Sequence, residues 1–303
     1  MMTRGTILVA GKSGQLARSI AASARNVPDL SIHLAGRPGL DITSQPSCQM
    51  AIDNLRPDLV INTAAFTDVD RAESSPEEAR HINSDGARNL AQAAAAHSIP
   101  VLHISTDYVF DGSKQTAYVE WDTPNPVNTY GLSKLDGEQA VMEANPQHLI
   151  LRTAWLYSPF GASFISKILK AAAGATELSI VDDQIGNPTS TLDLARVLLE
   201  LSRQLLAKDW GKISGVYHLA SAVSMSRYAL AEQVMAASRS CSGPACEIRT
   251  ANTAQFPTPA PRPLRTALDT TRTLTTFGLD FPPPEQSLTK VVGALLSRGN
   301  GTL

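Results

Sequence analysis

Five short apolar runs, separated by segments with helical patterning, dominate the first half of this chain. The runs are TILVA (6–10), SIHLA (31–35), DLVINTA (58–64), PVLHIST (100–106) and HLILRTA (148–154). A continuous apolar run of this length is typical of a strand that is buried on both faces of a parallel sheet. The clearest intervening helix spans residues 75–99, where Pro76 fits the first helical turn. This alternation predicts an α/β fold with a doubly wound parallel sheet.

The composition restricts the function classes. Charged residues make up 18% of the chain and the net charge is −2, so there is no general attraction to nucleic acid or to an anionic membrane surface. No apolar segment approaches the length that spans a bilayer, which predicts no membrane association. The 3 cysteines match no metal or redox spacing and fit a reducing compartment. We therefore expect a cytoplasmic protein.

A glycine-containing turn directly follows the first apolar run. In VAGKSGQLA (9–17), Gly-Lys-Ser resembles the end of an ATP-binding phosphate loop, but that loop needs a glycine where this chain has Thr6. What remains is Gly11, Gly14 and Ala17 in a G-x-x-G-x-x-A arrangement between a strand and a helix. Backbone N–H groups and the helix N-terminus receive a pyrophosphate in such a turn. The spacing is not the standard G-x-G-x-x-G, so its position after the first strand is what favours a dinucleotide site.

The end of the second apolar run indicates which dinucleotide binds. LAGRPGLD (34–41) has no acidic residue at the strand tip to accept hydrogen bonds from the adenosine ribose, whereas Arg37 is available for a 2′-phosphate. This favours NADPH, with NADH as an alternative. Arg37 could instead be a solvated loop arginine. Asp41 is expected near the adenine rather than on the ribose.

A tyrosine and a lysine four residues apart follow the fourth apolar run. In NTYGLSKLDGEQA (128–140), Tyr130 and Lys134 share one face of a helix at that spacing. A lysine ammonium beside a phenol lowers the tyrosine pKa from about 10, which makes the phenol a usable proton donor to an alkoxide that forms on a ketone. Thr106, in STDYVFDG (105–112), could hold the same carbonyl oxygen. A solvated helix face is the alternative for Tyr130 and Lys134, but Thr106 and the glycine turn favour a catalytic role.

The second half of the chain has a looser pattern. It contains candidate helices near 162–173, 191–207, 226–237 and 285–297, and an ordered proline-rich loop at 256–269. We expect residues 1–157 and 187–212 to form a Rossmann-like NADP-binding domain. Residues 158–186 and 213–303 are expected to form a smaller α/β C-terminal domain that binds the substrate.

Seven segments together resemble the extended short-chain dehydrogenase/reductase family. They are AGKSGQLA, INTAAFTDVDRAE, STDYVFDG, YGLSK, LRTAWLYSPFGASF, DQIGNPTS and RPLRTALD, in order from residue 10 to residue 269. The resemblance implies hydride transfer from NADPH to the C4 ketone of dTDP-4-dehydro-L-rhamnose or of another nucleotide-linked 4-keto-6-deoxy sugar. It also implies a homodimer.

The resemblance also implies roles for individual residues. Tyr130 would be the proton donor, Lys134 its partner and the anchor of the nicotinamide ribose, and Thr106 the third catalytic group. Trp155 would cover the apolar face of the sugar ring, unless it is a core residue. The remaining implied contacts are Gly14, Gln15 and Leu16 on the pyrophosphate, Asp41 and Ile42 near the adenine, Ala65, Phe66 and Thr67 along the cofactor, and Asp107 on the sugar.

This chain departs from the family pattern at two places. Where relatives read Arg-Pro-x-Asn-Ser, it has Arg-Pro-Leu-Arg-Thr at 262–266. Arg262 or Arg265 is a candidate for holding the substrate's diphosphate, and a salt-bridged loop is the alternative. Some relatives hold magnesium between subunits with glutamates, but no acidic match stands near Arg18 or Leu192. We predict that no metal is required.

Two further functions remain as alternatives. Related 4,6-dehydratases carry a glutamate after the Thr-Asp pair, and here that position is Tyr108, which disfavours elimination. A regulatory subunit without turnover, similar to that of methionine adenosyltransferase, is the second alternative. Retention of Thr106, Tyr130 and Lys134 favours an enzyme over that regulator.

Other polar features are expected to be structural. Asp68, Asp70 and Glu73 form an acidic run that suits a solvated face or ion pairs. His103 lies inside the fourth apolar run, which indicates a core histidine with hydrogen-bond partners.

Overall fold

The computed structural model describes residues 5–206 and 210–299, so the chain ends and the last residue of the helix predicted at 191–207 lie outside the described residues. The strands are β1 (Gly5–Ala10), β2 (Leu30–Ala35), β3 (Leu59–Asn62), β4 (Val101–Thr106), β5 (His148–Thr153), β6 (Leu156–Tyr157), β7 (Glu177–Val181), β8 (Ile185–Gly186), β9 (Thr189–Ser190), β10 (Gly215–His218), β11 (Met225–Ser226) and β12 (Glu247–Ala251). The α-helices are α1 (Gln15–Ser23), α2 (Gln45–Leu55), α3 (Val69–Ser74), α4 (Pro76–Arg80), α5 (Gly86–Ala95), α6 (Thr129–Ala144), α7 (Phe164–Ala172), α8 (Thr191–Leu205), α9 (Arg227–Ser240), α10 (Thr271–Phe277) and α11 (Pro284–Gly299).

The central sheet is parallel, with the strand order β2-β1-β3-β4-β5-β10. Because β1 lies between β2 and β3, the chain changes its direction of winding at β1 and β3. In doubly wound sheets a ligand binds at such a switch point, outside the carboxyl ends of the strands. The predicted α/β fold with a doubly wound, Rossmann-like sheet is confirmed.

Apolar side chains alternate between the two faces of the sheet, as the strand period of two requires. Along β1, Ile7 and Val9 pack with α1 and α8, while Leu8 and Ala10 pack with α2 and α5 on the opposite face. All four side chains are buried, and full burial of a large aliphatic side chain contributes about 1.5–3 kcal/mol. These two cores fix the carboxyl edge of the sheet, where the polar residues that follow the strands lie.

The predicted boundary at residue 213 is wrong for one strand. β10 pairs with β5 and is the sixth strand of the central sheet, rather than part of the smaller C-terminal unit. The reason is that Tyr217 packs in the same core as α8, which brings the chain back across the sheet beside β5. The rest of the proposed division into two domains stays a prediction.

The helix predicted over residues 75–99 contains a π turn. α4 is followed by π-helical residues His81–Asp85, and α5 continues to Ala95. A π turn accommodates one extra residue in a helix and often occurs near functional sites. Here it directs the buried Asn83 toward Phe66, whose backbone N–H donates to Asn83 Oδ1 at 2.7 Å.

The C-terminal part packs around a third apolar core formed by α7, α9 and α11. Two short sheets accompany it, with β7 pairing with β12 and β8 with β11. The proline-rich stretch is an ordered loop, as predicted, and it contacts the rest of the chain through bridges of Arg265 to Ile185 and of Leu268 to Tyr118. This loop brings the residues after Arg262 to the edge of the central sheet.

None of the helices within residues 5–206 and 210–299 is sufficiently long and apolar to span a membrane. Cys48 and Cys246 are buried, Cys241 is half-buried, and all three are free thiols. Burial raises the pKa of the Cys48 thiol to about 12, so this cysteine is an unreactive core residue.

Candidate active site

A long cleft lies at the carboxyl edge of β1, β3 and β4, at the switch point of the sheet. It consists of an inner cavity of about 410 Å³ and an outer cavity of about 370 Å³, which share Gly14, Thr63 and Ala65. The predicted residues that line the inner cavity are Gly14, Gln15, Leu16, Ala65, Thr67, Thr106, Asp107, Tyr130, Lys134 and Trp155. Those that line the outer cavity are Gly11, Gly14, Arg37, Asp41, Ile42 and Ala65.

The glycine turn is shaped to admit a phosphate group. Gly11 has φ +100°, and a Cβ there would lie 2.7 Å from Thr63 Oγ1, so only glycine fits. Gly14 is the N-cap of α1 and no side chain caps this helix, which leaves its first backbone N–H groups without a side-chain acceptor. Gln15 donates to the Ala162 carbonyl at 2.7 Å, while its buried Oε1 has no partner. The uncapped backbone N–H groups fit a dinucleotide pyrophosphate, whereas Gln15 Oε1 can only accept a hydrogen bond.

Two cationic side chains, Lys12 and Arg37, and the carboxylate of Asp41 line the outer cavity. Arg37 is 67% exposed and lies 3.6 Å from Asp41. Hydrogen bonds from Thr43, more than the charge of Arg37, lower the pKa of Asp41. Lys12 also lines this cavity, and sequence reasoning missed it because its Gly-Lys-Ser context was considered only for an ATP loop.

One helix positions the tyrosine and the lysine. α6 begins after Asn128, whose side chain accepts from the backbone N–H of Gly131 at 2.8 Å and caps the helix. Tyr130 and Lys134 then face the carboxyl end of β4, where Thr106 ends the strand. The buried Lys134 donates to the Ile104 carbonyl at 2.7 Å. The structure thus brings Thr106, Tyr130 and Lys134 to one cavity.

The protonation states differ from the sequence-based expectation. Burial raises the pKa of Tyr130, with Asp107 and Tyr108 adding to the rise and Thr106 opposing it. The expected lowering by Lys134 is therefore wrong for this structure, because Nζ is hydrogen-bonded to strand β4 instead. Burial lowers the pKa of Lys134 to about 8, against the effect of the Glu138 carboxylate.

The Phe66 side chain is buried in an apolar cluster with Ala72 and Ala79, and Tyr130 packs against this cluster. Its neighbours in the chain, Ala65 and Thr67, both line the inner cavity. Asn83 accepts from the Phe66 N–H at 2.7 Å and donates to the Phe66 carbonyl at 3.0 Å. The contact of Phe66 with the cofactor stays a prediction.

Asp107 is a buried carboxyl group at the inner end of the cleft. Thr266 Oγ1 donates to Asp107 Oδ2 at 2.5 Å, and Thr106 Oγ1 donates to Oδ1 at 3.2 Å. Burial, only partly offset by these hydroxyl groups and by Arg227, raises the pKa of Asp107 to about 6. Thr266 belongs to the Arg-Pro-Leu-Arg-Thr segment, so this departure from the family pattern retains a hydroxyl group on Asp107.

Trp155 lines the inner cavity, and an arginine that sequence reasoning missed stacks on it. Trp155 has φ +47°, a strained conformation for a non-glycine residue. Its indole lies so close to Gly186 that a Cβ there would clash. The Arg227 guanidinium lies 3.5 Å from the ring centroid and is hydrogen-bonded to Tyr108. Arg227 begins α9, far from the other motifs in sequence, and no local pattern marks it.

Arg262 forms an ion pair, which the sequence analysis gave as the alternative to a diphosphate contact. Its Nη2 donates to Asp70 Oδ2 at 2.8 Å, so Asp70 of the acidic run is also in an ion pair. Arg262 is not among the side chains that line either described cavity. However, its Nη1 is buried without a hydrogen-bond partner, and its charge acts on Tyr108 and Arg227.

A buried ion pair lies behind the catalytic candidates. Arg152 on β5 donates to both carboxylate oxygens of Glu138 on α6, at 2.9 and 2.7 Å. Ser105 Oγ also donates to Glu138, at 2.5 Å. This network joins α6 to β4 and β5 one helical turn beyond Lys134.

Within the part of the chain that the structure describes, no group of three or more His, Cys, Asp or Glu side chains could hold a metal ion. Positions near Arg18 and Leu192, where acidic residues were sought, adjoin a hydroxyl network instead. Thr191 Oγ1 lies 2.7 Å from Ser19 Oγ and donates to Ser158 Oγ at 2.8 Å. The absence of a required metal stays a prediction.

The family model described as "RmlD substrate binding domain" matches residues 5–297 of this chain. The chain belongs to the RmlD substrate-binding-domain family. A relative from Sinorhizobium fredii named dTDP-4-dehydrorhamnose reductase is 40% identical over 293 residues, covering 97% of this chain and 98% of that protein. A Streptomyces niveus relative named dTDP-4-keto-6-deoxy-D-glucose reductase is 39% identical over 225 residues, covering 74% of this chain and 75% of the other.

Solved structures of RmlD-family relatives have the same architecture. The crystal structure of dTDP-4-dehydrorhamnose reductase from Bacillus anthracis, in complex with NADP, matches with a TM-score of 0.87 and 31% identity. It covers 95% of this chain and 99% of that one. The membership inferred from the glycine turn, the Thr-Asp-Tyr segment and the Tyr-Lys pair is thereby confirmed.

Proposed function

We propose that this chain catalyses the NADPH-dependent reduction of the C4 ketone of dTDP-4-dehydro-L-rhamnose, giving dTDP-L-rhamnose. The observation that carries the proposal is the convergence of Thr106, Tyr130 and Lys134 with the glycine turn in one cleft. The names of the RmlD-family relatives support the substrate, and the B. anthracis complex supports NADP as the cofactor. NADH remains the alternative cofactor.

The chain's own groups bind and orient the reactants and move one proton. The cofactor supplies a hydride to the carbonyl carbon when it is bound. Gly11, Gly14 and Gln15 would hold its pyrophosphate, and Lys134 its nicotinamide ribose. Tyr130 donates its phenolic proton to the carbonyl oxygen, which Thr106 holds by a hydrogen bond. A raised pKa suits this role, because it keeps the phenol protonated until negative charge develops on that oxygen.

The substrate would lie between Trp155 and the arginines. Asp107, with its threonine partners, suits a sugar hydroxyl group, and the indole suits the ring carbons. We assign the diphosphate to Arg227, with the unpartnered Nη1 of Arg262 as a second donor. The charges of Arg227 and Arg262 act on each other, and an anion bound by both would offset that repulsion.

The proposed function is tested with purified protein, NADPH and dTDP-4-dehydro-L-rhamnose. We expect loss of the nicotinamide absorbance and formation of dTDP-L-rhamnose, identified by mass spectrometry and NMR. The matched substrate is dTDP-4-keto-6-deoxy-D-glucose, because the S. niveus relative is named for it. Faster oxidation of NADPH by that sugar would assign the chain to the alternative reductase. No oxidation by either sugar, with NADPH bound, would favour the regulatory subunit.

Arg37→Ala is expected to raise the KM for NADPH about tenfold and to spare the KM for NADH. An exposed guanidinium with only a long ion pair to Asp41 is free to bind a 2′-phosphate, and such a charge-assisted hydrogen bond is worth about 1.5 kcal/mol. Steady-state kinetics with both cofactors measure the effect, with Arg56→Ala as the control, since Arg56 is an exposed arginine at the C-terminal end of α2. Equal changes for both cofactors would contradict a 2′-phosphate contact.

Arg227→Gln is expected to raise the KM for the nucleotide sugar about tenfold or more, while the KM for NADPH stays within twofold. Loss of a charge-assisted hydrogen bond to the diphosphate accounts for this magnitude, roughly 1.5–3 kcal/mol. The control is Arg249→Gln, an exposed arginine paired with Glu177 and Glu247. An unchanged sugar KM would show that the diphosphate lies elsewhere.

We also propose a homodimer in the cytoplasm. Family resemblance supports the dimer, and the free thiols fit a reducing compartment. Light scattering coupled to size-exclusion chromatography measures the subunit count, and a monomeric mass with full activity would reject the dimer.

A further inference from the structure

His103 lies buried between the proposed ribose anchor and the switch point of the sheet. It is 1% exposed, on β4, between Asn62 on β3 and Lys134 on α6. Its Nδ1 is 3.1 Å from Asn62 Nδ2, and its Nε2 is 3.3 Å from Lys134 Nζ. The reduction mechanism described above gives His103 no role.

The backbone fixes the direction of these hydrogen bonds. The Ala64 N–H donates to Asn62 Oδ1 at 3.1 Å, and a backbone N–H is always a donor. The amide oxygen of Asn62 is therefore held toward Ala64, and its NH₂ group faces His103. Since that NH₂ group only donates, His103 Nδ1 must accept.

The tautomer of His103 follows from this direction. A neutral imidazole that accepts at Nδ1 carries its proton on Nε2. The doubly protonated form is excluded, because both of its ring nitrogens donate whereas Nδ1 accepts here, and burial also lowers the pKa of His103. The Nε2–H group therefore points at Lys134 Nζ.

A charged ammonium group cannot complete this chain. It has three N–H donors and no acceptor, whereas a neutral amine has a lone pair that accepts from His103 Nε2–H. Lys134 already donates to the Ile104 carbonyl, and both forms of the amine can make that bond. The Ala64 N–H donates to Asn62, the Asn62 amide to His103, and the His103 Nε2–H to Lys134. The last of these donors has an acceptor only when Lys134 is neutral.

We propose that Asn62 and His103 are positioning residues that favour the neutral form of Lys134 and so set the pH at which the site changes charge. The groups that face Lys134 act in both directions. Glu138, on the same helix, favours the charged form, whereas burial and His103 on β4 favour the neutral one. Arg152 neutralises much of the effect of Glu138, because it holds both carboxylate oxygens. The assignment of the His103 tautomer does not depend on the proposed function. Its effect on the pH profile of kcat does, because it rests on the chain being a reductase.

The direct test is the tautomer of His103 in the full chain with ¹⁵N-labelled histidine. Two-bond ¹H–¹⁵N correlation spectra distinguish an Nε2–H from an Nδ1–H imidazole, and loss of one set of signals in His103→Gln assigns the residue. We expect the Nε2–H tautomer in the wild-type protein. In Asn62→Asp the second carboxylate oxygen accepts from Nδ1–H, so the tautomer is expected to reverse. An Nδ1–H tautomer in the wild-type protein would overturn the proposal whether or not the chain is a reductase.

The kinetic test is the alkaline limb of the pH profile of kcat. We expect Asn62→Asp to raise the pH at which activity falls by about one unit, because His103 Nε2 then accepts from the lysine ammonium and the new carboxylate favours it. Asn62→Ala separates the effect of the hydrogen-bond direction from that of the added charge, since it releases the His103 tautomer without adding a carboxylate. A smaller rise in the pH at which kcat falls is expected. Circular dichroism confirms that each variant is folded. If the alkaline limb of the kcat profile is unchanged in both folded variants, Asn62 and His103 do not set the protonation of Lys134, even if the tautomer is as assigned.

Discussion

Tyr130→Phe is expected to lower turnover by about 10²–10⁴-fold while leaving the affinity for NADPH nearly unchanged. The rings of Tyr130 and Tyr108 make an edge-to-face contact, with their centroids 5.9 Å apart. Phenylalanine keeps the ring in that place but has no phenolic proton to donate. Single-turnover rates measure the chemical step, and fluorescence titration measures cofactor binding.

Tyr108→Phe is the matched control, because Tyr108 is the neighbouring phenol, in edge-to-face contact with Tyr130. Its hydroxyl group interacts with Arg227, so a loss in sugar affinity without a comparable loss in turnover is expected. A larger loss of turnover in Tyr108→Phe than in Tyr130→Phe would mean that the acid has been assigned to the wrong ring.

Arg152→Met is expected to lower the free energy of unfolding by about 3–5 kcal/mol. The methionine fills much of the space of the arginine stem, but Glu138 is left as a fully buried carboxylate with Ser105 as its remaining donor. Urea denaturation followed by circular dichroism gives the value.

The control for this loss is Arg249→Met, which removes a 57% exposed arginine from ion pairs with two glutamates. Exposed pairs of this kind contribute about 0–1 kcal/mol, so the control should unfold at nearly the wild-type urea concentration. Similar losses in the two variants would show that burial of the Arg152 pair is not what makes it stabilising.

The first five strands of the central sheet were predictable because each is a short apolar run, and burial on both faces leaves that pattern in the sequence. β10 was placed wrongly because its four residues give too short a run to indicate which sheet they join. The π turn was also missed, since helical periodicity over residues 75–99 is nearly the same with or without one inserted residue.

The residues of the cleft that follow strands were predictable, because the carboxyl edge of a doubly wound sheet collects whatever comes next in the chain. Thr106 and Gly11 are examples. Arg227 was not predictable, since it comes from a distant helix and packs on Trp155, which lines the inner cavity. The apolar cluster of Phe66 was not predictable either, because Ala72 and Ala79 come from the following helices.

The π turn between α4 and α5 makes the length of this helix unusually intolerant of change. Deleting one residue between His81 and Asp85 would restore regular i to i−4 bonding, which by itself is favourable. It would also rotate everything downstream by about 100°, the angle per residue of an α-helix. The alanine-rich stripe of α5 would then leave the sheet, or Asn83 would release the loop at Phe66 that borders the cleft. The extra residue thus lets Asn83 face the loop at Phe66 while the buried alanine face of α5 still packs on the sheet.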